Sequence, residues 1–364
     1  MRLMFVYWQP ENAGSAQDIL RYSEAAEKLG HEVVLYAPAE GQSRFHRSLD
    51  IESADAVIFV FEWNLYLQPG GEKKDRIVRT GLMGIGHLNV VKLVSRVPRE
   101  RRVVIDCDGM YNHPIHVGGD FNHPDAEASR RRMDLCDSLS DKIYQPTLHP
   151  LRPNVRPFLF HAYDPAWDQP LDFGPKEYGM VYVGSNWFRW SALHRVLRAI
   201  EPVRDRVGRI ALVGHDWGAM PWWVESPLRE QAYYTDPAYL KEMGIEVMPA
   251  VPVEEVVPTM SRGVFNPVLI RPLFDHLRLV TCRTFETPAA NTIPLFAQNT
   301  DYIKEIYGER AVELVLGEHA SEQILDVLRQ PEHYAEIIRD IRRYLAEKHS
   351  YAARLQELAR IVAS

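Results

Sequence analysis

Three stretches in the second half of the chain each leave an apolar run and enter a turn of small and polar residues. In VYVGSNWFRW, Gly184 lets the backbone turn closely, while Ser185 and Asn186 are of the types that cap a following helix. The N–H groups at such a helix start can hold a phosphate. In LVGHDWGAMPWW, Gly214, His215 and Asp216 lead into an aromatic loop, suited either to stacking on a base or sugar or to packing as a lid. In RTFETPAANTIPLF, Thr284 is the expected N-cap of a short helix, with Glu286 in its first turn and Pro288 near its fourth position. Proline costs little there, because the first four N–H groups of a helix have no internal partner. Asn291 is expected to end that helix in the left-handed conformation. Glu286 has two readings of equal weight. It is an acid favoured by the helix dipole, or a carboxylate accepting from a vicinal diol, as acids in nucleotide sites accept from ribose.

The first half carries a different constellation. DCDGMYNHPIHVGGDFNHPD concentrates Asp106, Asp108, His113, His116, Asp120, His123 and Asp125 just after an apolar strand. His and Asp bind Zn, Mn or Fe, so a metal-dependent hydrolase is one reading. His113-x-x-His116 is not the helical spacing of a zinc motif, however, and the glycines and prolines make a loop, so no metal is assigned. Asp108 and His113 follow the strand end most closely and are the candidates for a general base to an acceptor hydroxyl. His116 and Asp120 are expected on the acceptor side with Gly14, which lies in the Gln9–Ser15 turn after the first strand. A plain flexible turn explains Gly14 equally well.

These residues need elements to hold them. Leu3–Trp8 reads as a strand, Ala16–Leu29 as an amphipathic helix closed by Gly30, and HEVVLYAP as the returning strand. Ala56–Phe61, Val103–Asp106 and Lys142–Gln145 continue a βαβ series with a parallel sheet. Pro150, Pro153, Pro157, Pro165 and Pro170 then crowd one segment as a domain connection would. The grammar restarts at GMVYVGSN, with Trp190–Ile200 as a helix and GRIALVGHDW, GIEVMPAVP, GVFNPVLI and IPLFA as strands. The expected division is an acceptor-side domain over 1–160, a linker over 161–175, a donor-side domain over 176–330 and closing helices over 331–364. Each domain is a doubly wound, Rossmann-like α/β unit, the two facing across a cleft with the C-terminal helices packing back.

Composition narrows the functional classes. The 364 residues, 46% hydrophobic and 25% charged, suit a globular chain of two domains. A net charge of -7 gives no general attraction to nucleic acid or anionic lipid, although Arg130, Arg131 and Arg132 form a local basic run. Three scattered cysteines argue against a disulfide framework. With an N-terminus read as a strand and no apolar run of membrane-spanning length, a cytoplasmic protein is expected.

The ordered motifs resemble a known family. RTFETPAANTIPLF is similar to the R-x-F-E-x-x-A-x-G-x-P-L stretch of group-1 glycosyltransferases, most of all their spore-maturation, CgeB-like branch. EKHSYAARLQEL resembles that branch's H-[ST]-Y-x-x-R-L ending, VYVGS its donor-domain opening, and GIEVMPAVPVEEVVPTMSRG its strand–loop–helix before the donor acid. The resemblance spans most of Gly179–Ser364 and implies the GT-B architecture. It implies a glycosyltransferase with a UDP- or GDP-sugar co-substrate, no other cofactor and no metal. The acceptor is open: a small molecule, glycan, protein or, less favoured, DNA. Glu286 would hold the ribose hydroxyls, with Arg283, Thr284 and Thr287 near the diphosphate, and Gly184, Ser185, Asn186 and His215 across the cleft. A second family glutamate, eight positions before Glu286, is here Arg278, and Asn291 stands where glycine is usual. A two-lobed module that binds sugar or nucleotide without turnover is the alternative. Oligomeric state is not legible.

Overall fold

The computed structural model describes residues 1–8, 14–39, 43–62, 77–79, 87–222, 224 and 227–364. Two parallel sheets carry the chain. The first comprises β1 (Arg2–Val6), β2 (Glu32–Tyr36), β3 (Arg47–Ser48), β4 (Ala56–Phe61), β5 (Arg102–Asp106), β6 (Ile143–Gln145) and β7 (Val155–Pro157). Its spatial order is β7-β6-β5-β4-β1-β2-β3, the doubly wound order with a switch point between β1 and β4. The second comprises β8 (Tyr178–Val183), β9 (Ile210–Val213), β10 (Ile245–Met248), β11 (Gly263–Val268) and β12 (Ile293–Phe296). Its order, β10-β9-β8-β11-β12, repeats the same logic, with the switch between β8 and β11.

The central strands are apolar runs because helices cover both faces. All six residues of β4 and of β8 are buried, as a parallel sheet requires. The helices that accompany these sheets include α1 (Gly14–Lys28), α2 (Ala126–Leu139), α3 (Trp190–Ile200), α4 (Pro272–Leu277), α5 (Cys282–Ala289), α6 (Ala335–Lys348) and α7 (Tyr351–Ala363). Gly30, at φ +72°, closes α1 as expected, and His31 N–H reaches Ala26 O at 2.8 Å.

The chain crosses from the first sheet to the second through the proline-rich segment and then returns. α6 packs in the core of the second sheet, but Tyr351, Leu355 and Leu358 of α7 are buried in the core of the first. Tyr163 N–H donates to His349 O at 2.8 Å where the outgoing and returning segments pass. Among the described residues, the two halves meet at this crossing and along the carboxyl ends of their strands, where the cleft lies and where Val280 N–H donates to Pro146 O at 2.7 Å. No described helix is long and apolar enough to cross a membrane.

Candidate functional site

At the cleft, a cavity of about 370 Å³ lies between the ends of the second sheet's strands and the start of α1. Gly184 and Ser185 follow β8, Gly214 and His215 follow β9, and Val251 and Val253 follow β10. Cys282, Arg283 and Glu286 enter from α5, while Gly14, Gln17 and Asp18 face them from α1, with Trp167 and Tyr351 at the crossing. A smaller cavity of about 200 Å³ adjoins it, sharing Gln17, Trp167, Val253 and Glu286.

The floor depends on two glycines. Gly214 has a φ of +157°, and a Cβ there would lie 2.2 Å from the Gly184 carbonyl oxygen. A Cβ on Gly184 would meet the Tyr182 hydroxyl at 2.7 Å. The two strand-end loops therefore approach each other more closely than any side chain permits, which leaves room for a ligand over the backbone. Asn186 is fully buried and donates through Nδ2 to Asp216 O (3.3 Å), Tyr233 O (3.3 Å) and Tyr234 O (2.8 Å). It clamps the aromatic loop rather than facing the cavity, which corrects its expected donor role.

The start of α5 supplies the charge. Arg283 Nη1 lies 2.6 Å from Glu286 Oε2, one turn apart on the cavity face, and both are largely shielded from solvent. A cation and a carboxylate at one helix start offer a diphosphate and a diol complementary partners. The expected boundary needs correction. Thr281, not Thr284, is the N-cap, and Thr284 is the third helical residue of a capping box, its Oγ1 accepting from Thr281 N–H at 3.2 Å. Glu286 is then the fifth helical residue and Pro288 the seventh. Thr284 and Thr287 are fully buried, and Thr287 Oγ1 donates to Arg283 O at 3.1 Å, so both serve the helix rather than a phosphate. Asn291 is not left-handed. Its Nδ2 donates to Asp172 O at 2.7 Å and its N–H to Ser261 Oγ at 2.9 Å, while Ala290 ends the helix in extended backbone. Burial, followed by the nearby Glu286 charge, pushes the Cys282 thiol up to about 12 and leaves it unreactive.

The Asp/His loop disperses. Asp106 is fully buried and accepts from Met110 N–H (3.0 Å), Tyr111 N–H (2.8 Å) and Gln145 Nε2 (2.7 Å). Asp125 caps α2 through Ala128 N–H at 2.7 Å. His123, with Nε2 on Met110 O, is pulled down to about 4 by burial. Asp120 is buried in an ion pair with Arg271, Nε to Oδ2 at 2.7 Å, and also accepts Leu273 N–H at 2.9 Å. It ties this loop to the second half of the molecule, which corrects its acceptor-side placement. His113 and His116 are exposed, and His116 stacks on Phe121. Asp108 is half-buried, and neither it nor His113 belongs to the cavity lining. Among the described residues, no three His, Cys, Asp or Glu side chains gather as a metal site. Residues 9–13 of the expected acceptor turn lie outside the described residues; Gly14 lines the cavity.

Sequence reasoning missed Asp18, Gln17 and Tyr351. The signal for Asp18 and Gln17 was their place at the start of the first helix after β1, where an α/β sheet presents its ligand side. Tyr351 stands in the HSY motif, but its helical spacing to Leu355 and Leu358 marks it equally as part of an apolar stripe.

A family model described as glycosyl transferase-like matches residues 194–360. No curated protein sequence matches the chain. Among solved structures, the T4 phage β-glucosyltransferase in complex with UDP-glucose is similar over 100% of both chains, at 14% identity and a TM-score of 0.59. An α-glucosyltransferase in complex with UDP and a 13-mer DNA is similar over 100% of this chain and 99% of its own, at 13% identity and a TM-score of 0.64. A complex of an α-glucosyltransferase with UDP and DNA containing an HMU base matches at 13% identity and a TM-score of 0.62, over 100% of both chains. The whole chain therefore has the GT-B fold, two Rossmann-like domains facing across a cleft, and its C-terminal half carries a glycosyl transferase-like sequence pattern.

Proposed function

We propose that this protein is a nucleotide-sugar-dependent glycosyltransferase with a UDP-sugar as donor, of the CgeB-like kind its motifs resemble. The observation that carries the reading is the Arg283–Glu286 pair at the start of α5, set against the Gly184 and Gly214 loops in one cavity. The diphosphate rests over the two glycine loops, where the α5 N–H groups and Arg283 offset the charge that grows as the sugar–phosphate bond breaks. Glu286 accepts from the ribose hydroxyls, and Ser185 and His215 flank the diphosphate and sugar. The sugar is transferred to an acceptor hydroxyl from the α1 side. The transition-state charge is met by fixed protein dipoles, so the reaction as proposed runs without a metal. The buried, unpaired Cys107 and Cys136 fit a reducing, cytoplasmic setting.

Incubation with UDP- and GDP-sugars tests the reaction class: release of free nucleotide supports transfer, and binding without release supports a non-catalytic module. Two of the structural neighbours were solved with DNA, so the acceptor arms of the assay include DNA bearing an HMU base beside neutral glycans. For the ribose role, Glu286→Ala is expected to weaken UDP binding at least tenfold, about 1.4 kcal/mol, in calorimetry, in a chain that still folds but melts lower because Arg283 loses its shielded partner. Undiminished UDP affinity in that variant removes Glu286 from the ribose.

A further inference from the structure

Two carboxylates line the cleft cavity among the described residues, one from each half of the molecule. Glu286 is paired with Arg283. The other, Asp18, is held by a network drawn from three distant parts of the chain. Its Oδ2 lies 2.8 Å from His161 Nδ1, in the segment that crosses between the sheets. Its Oδ1 accepts from the Tyr351 hydroxyl of α7 at 2.6 Å. Asp18 is 2% exposed and His161 7% exposed, so the pair is shielded from solvent screening. Behind it, Tyr7 and Ser15 both donate to Glu62.

Burying a carboxylate is costly unless it is paired and hydrogen-bonded, and an apolar side chain at this place in α1 would fill the same space. Burial alone pulls His161 down, but Asp18, with Glu62 and Asp108 beyond it, more than offsets this and raises it above its ordinary value. An ionised carboxylate offers about four acceptor directions, of which His161 and Tyr351 take two. The rest remain for a group in the cavity.

Resting on the transferase reading, we propose that Asp18 is the catalytic carboxylate for the acceptor, fixed in place by His161 and Tyr351. Asp18 accepts the hydrogen bond of the acceptor hydroxyl. As the acceptor oxygen bonds to the anomeric carbon, the bond from that carbon to the diphosphate oxygen breaks, and its electron pair leaves on the nucleotide. The acceptor proton passes to the Asp18 carboxylate and then to water. His161 and Tyr351 are positioning residues: their hydrogen bonds to the two carboxylate oxygens hold Asp18 at one orientation. This replaces Asp108 and His113, which lie outside the cavity lining.

Nucleotide release from a panel of UDP- and GDP-sugars, with water as the acceptor, tests the assignment in the full chain. A wild-type protein that releases no nucleotide with water, neutral glycans or HMU-bearing DNA as acceptor overturns the transferase reading itself, before any variant is made. If it does release nucleotide, Asp18→Asn is expected to lower kcat about 100-fold, the usual scale of general base catalysis, with KM for the donor within threefold. A kcat within threefold of wild type in that variant overturns the assignment, as does a loss expressed wholly in donor KM. Tyr351→Phe keeps the buried ring and removes only the hydroxyl. It is expected to lower kcat about fivefold at constant KM, and an unchanged kcat overturns the positioning role even where Asp18→Asn fails to fold.

Discussion

At the scale of single residues, the Asp120–Arg271 pair shows how a functional-looking side chain becomes a structural one. Both are almost completely buried, and Arg271 lies 4.8 Å from the Phe274 ring centroid and 5.0 Å from that of Phe188. These rings and the carboxylate replace the water that the guanidinium loses. Removing one partner of a buried pair strands the other charge, so Asp120→Ala is expected to cost about 3–5 kcal/mol in urea unfolding. The double variant Asp120→Ala/Arg271→Met should recover most of that loss, because the stranded charge is gone. A double variant no more stable than the single one rules out this account. The partners are 151 residues apart, so spacing within the Asp/His loop held no information about the pairing. The same holds for Asp18, whose partners are 143 and 333 residues away.

At the scale of elements, local grammar was legible where it is set by nearest neighbours. The strand-then-glycine steps at Gly184 and Gly214 predict two loops at the cleft, and both line the cavity. The start of α5 was not legible, because Thr281 and Thr284 are both capable caps and the reciprocal capping box decides between them. Its end is set by a distant residue: Arg342 of α6 donates to Pro288 O at 2.8 Å, Ala289 O at 2.9 Å and Ala290 O at 3.0 Å. The junction between α6 and α7 carries a pH dependence. His349 is 7% exposed, neither ring nitrogen has a hydrogen-bond partner among the described residues, and burial pulls it down to about 4. Its folded value lies below its unfolded value of roughly 6.5, so below that pH the unfolded chain binds a proton the folded chain does not. Stability from this group is therefore complete above about pH 6.5 and lost as pH falls toward 4, by about 2 kcal/mol at pH 5. His123, also at about 4, adds a loss of the same sign. Urea unfolding at pH 7 and pH 5 should show the combined loss, and His349→Leu should reduce it by about half. An unchanged difference between the two pH values in that variant excludes His349 as a source.

At the scale of the whole molecule, α7 returns to the half that holds β1. It lays Tyr351, Leu355 and Leu358 into the core of the first sheet, with Tyr351 edge-on to Tyr22 of α1 at 5.3 Å between centroids. Lys142 Nζ, beside β6, reaches the Ile361 carbonyl at 3.2 Å near the helix end. Burying three such side chains contributes about 1.5–3 kcal/mol each, so α7 supplies roughly 5–9 kcal/mol to the first half. A whole domain is typically stable by about 5–15 kcal/mol, so losing α7 removes a large share of what holds the first half folded. Removing residues 351–364 is thus expected to split unfolding into two transitions, the first sheet melting well below the second. Hydrogen exchange resolved by segment reads this directly: fast exchange across β1 and β4, protection kept across β8 and β9. UDP binding separates the two halves further. Gly184, Gly214, Arg283 and Glu286 all belong to the second half, so the truncated chain should still bind UDP while losing turnover with Tyr351 and the ordering of Asp18. A truncated chain that unfolds in one transition at the wild-type midpoint would show that the first half stands without its returning helix.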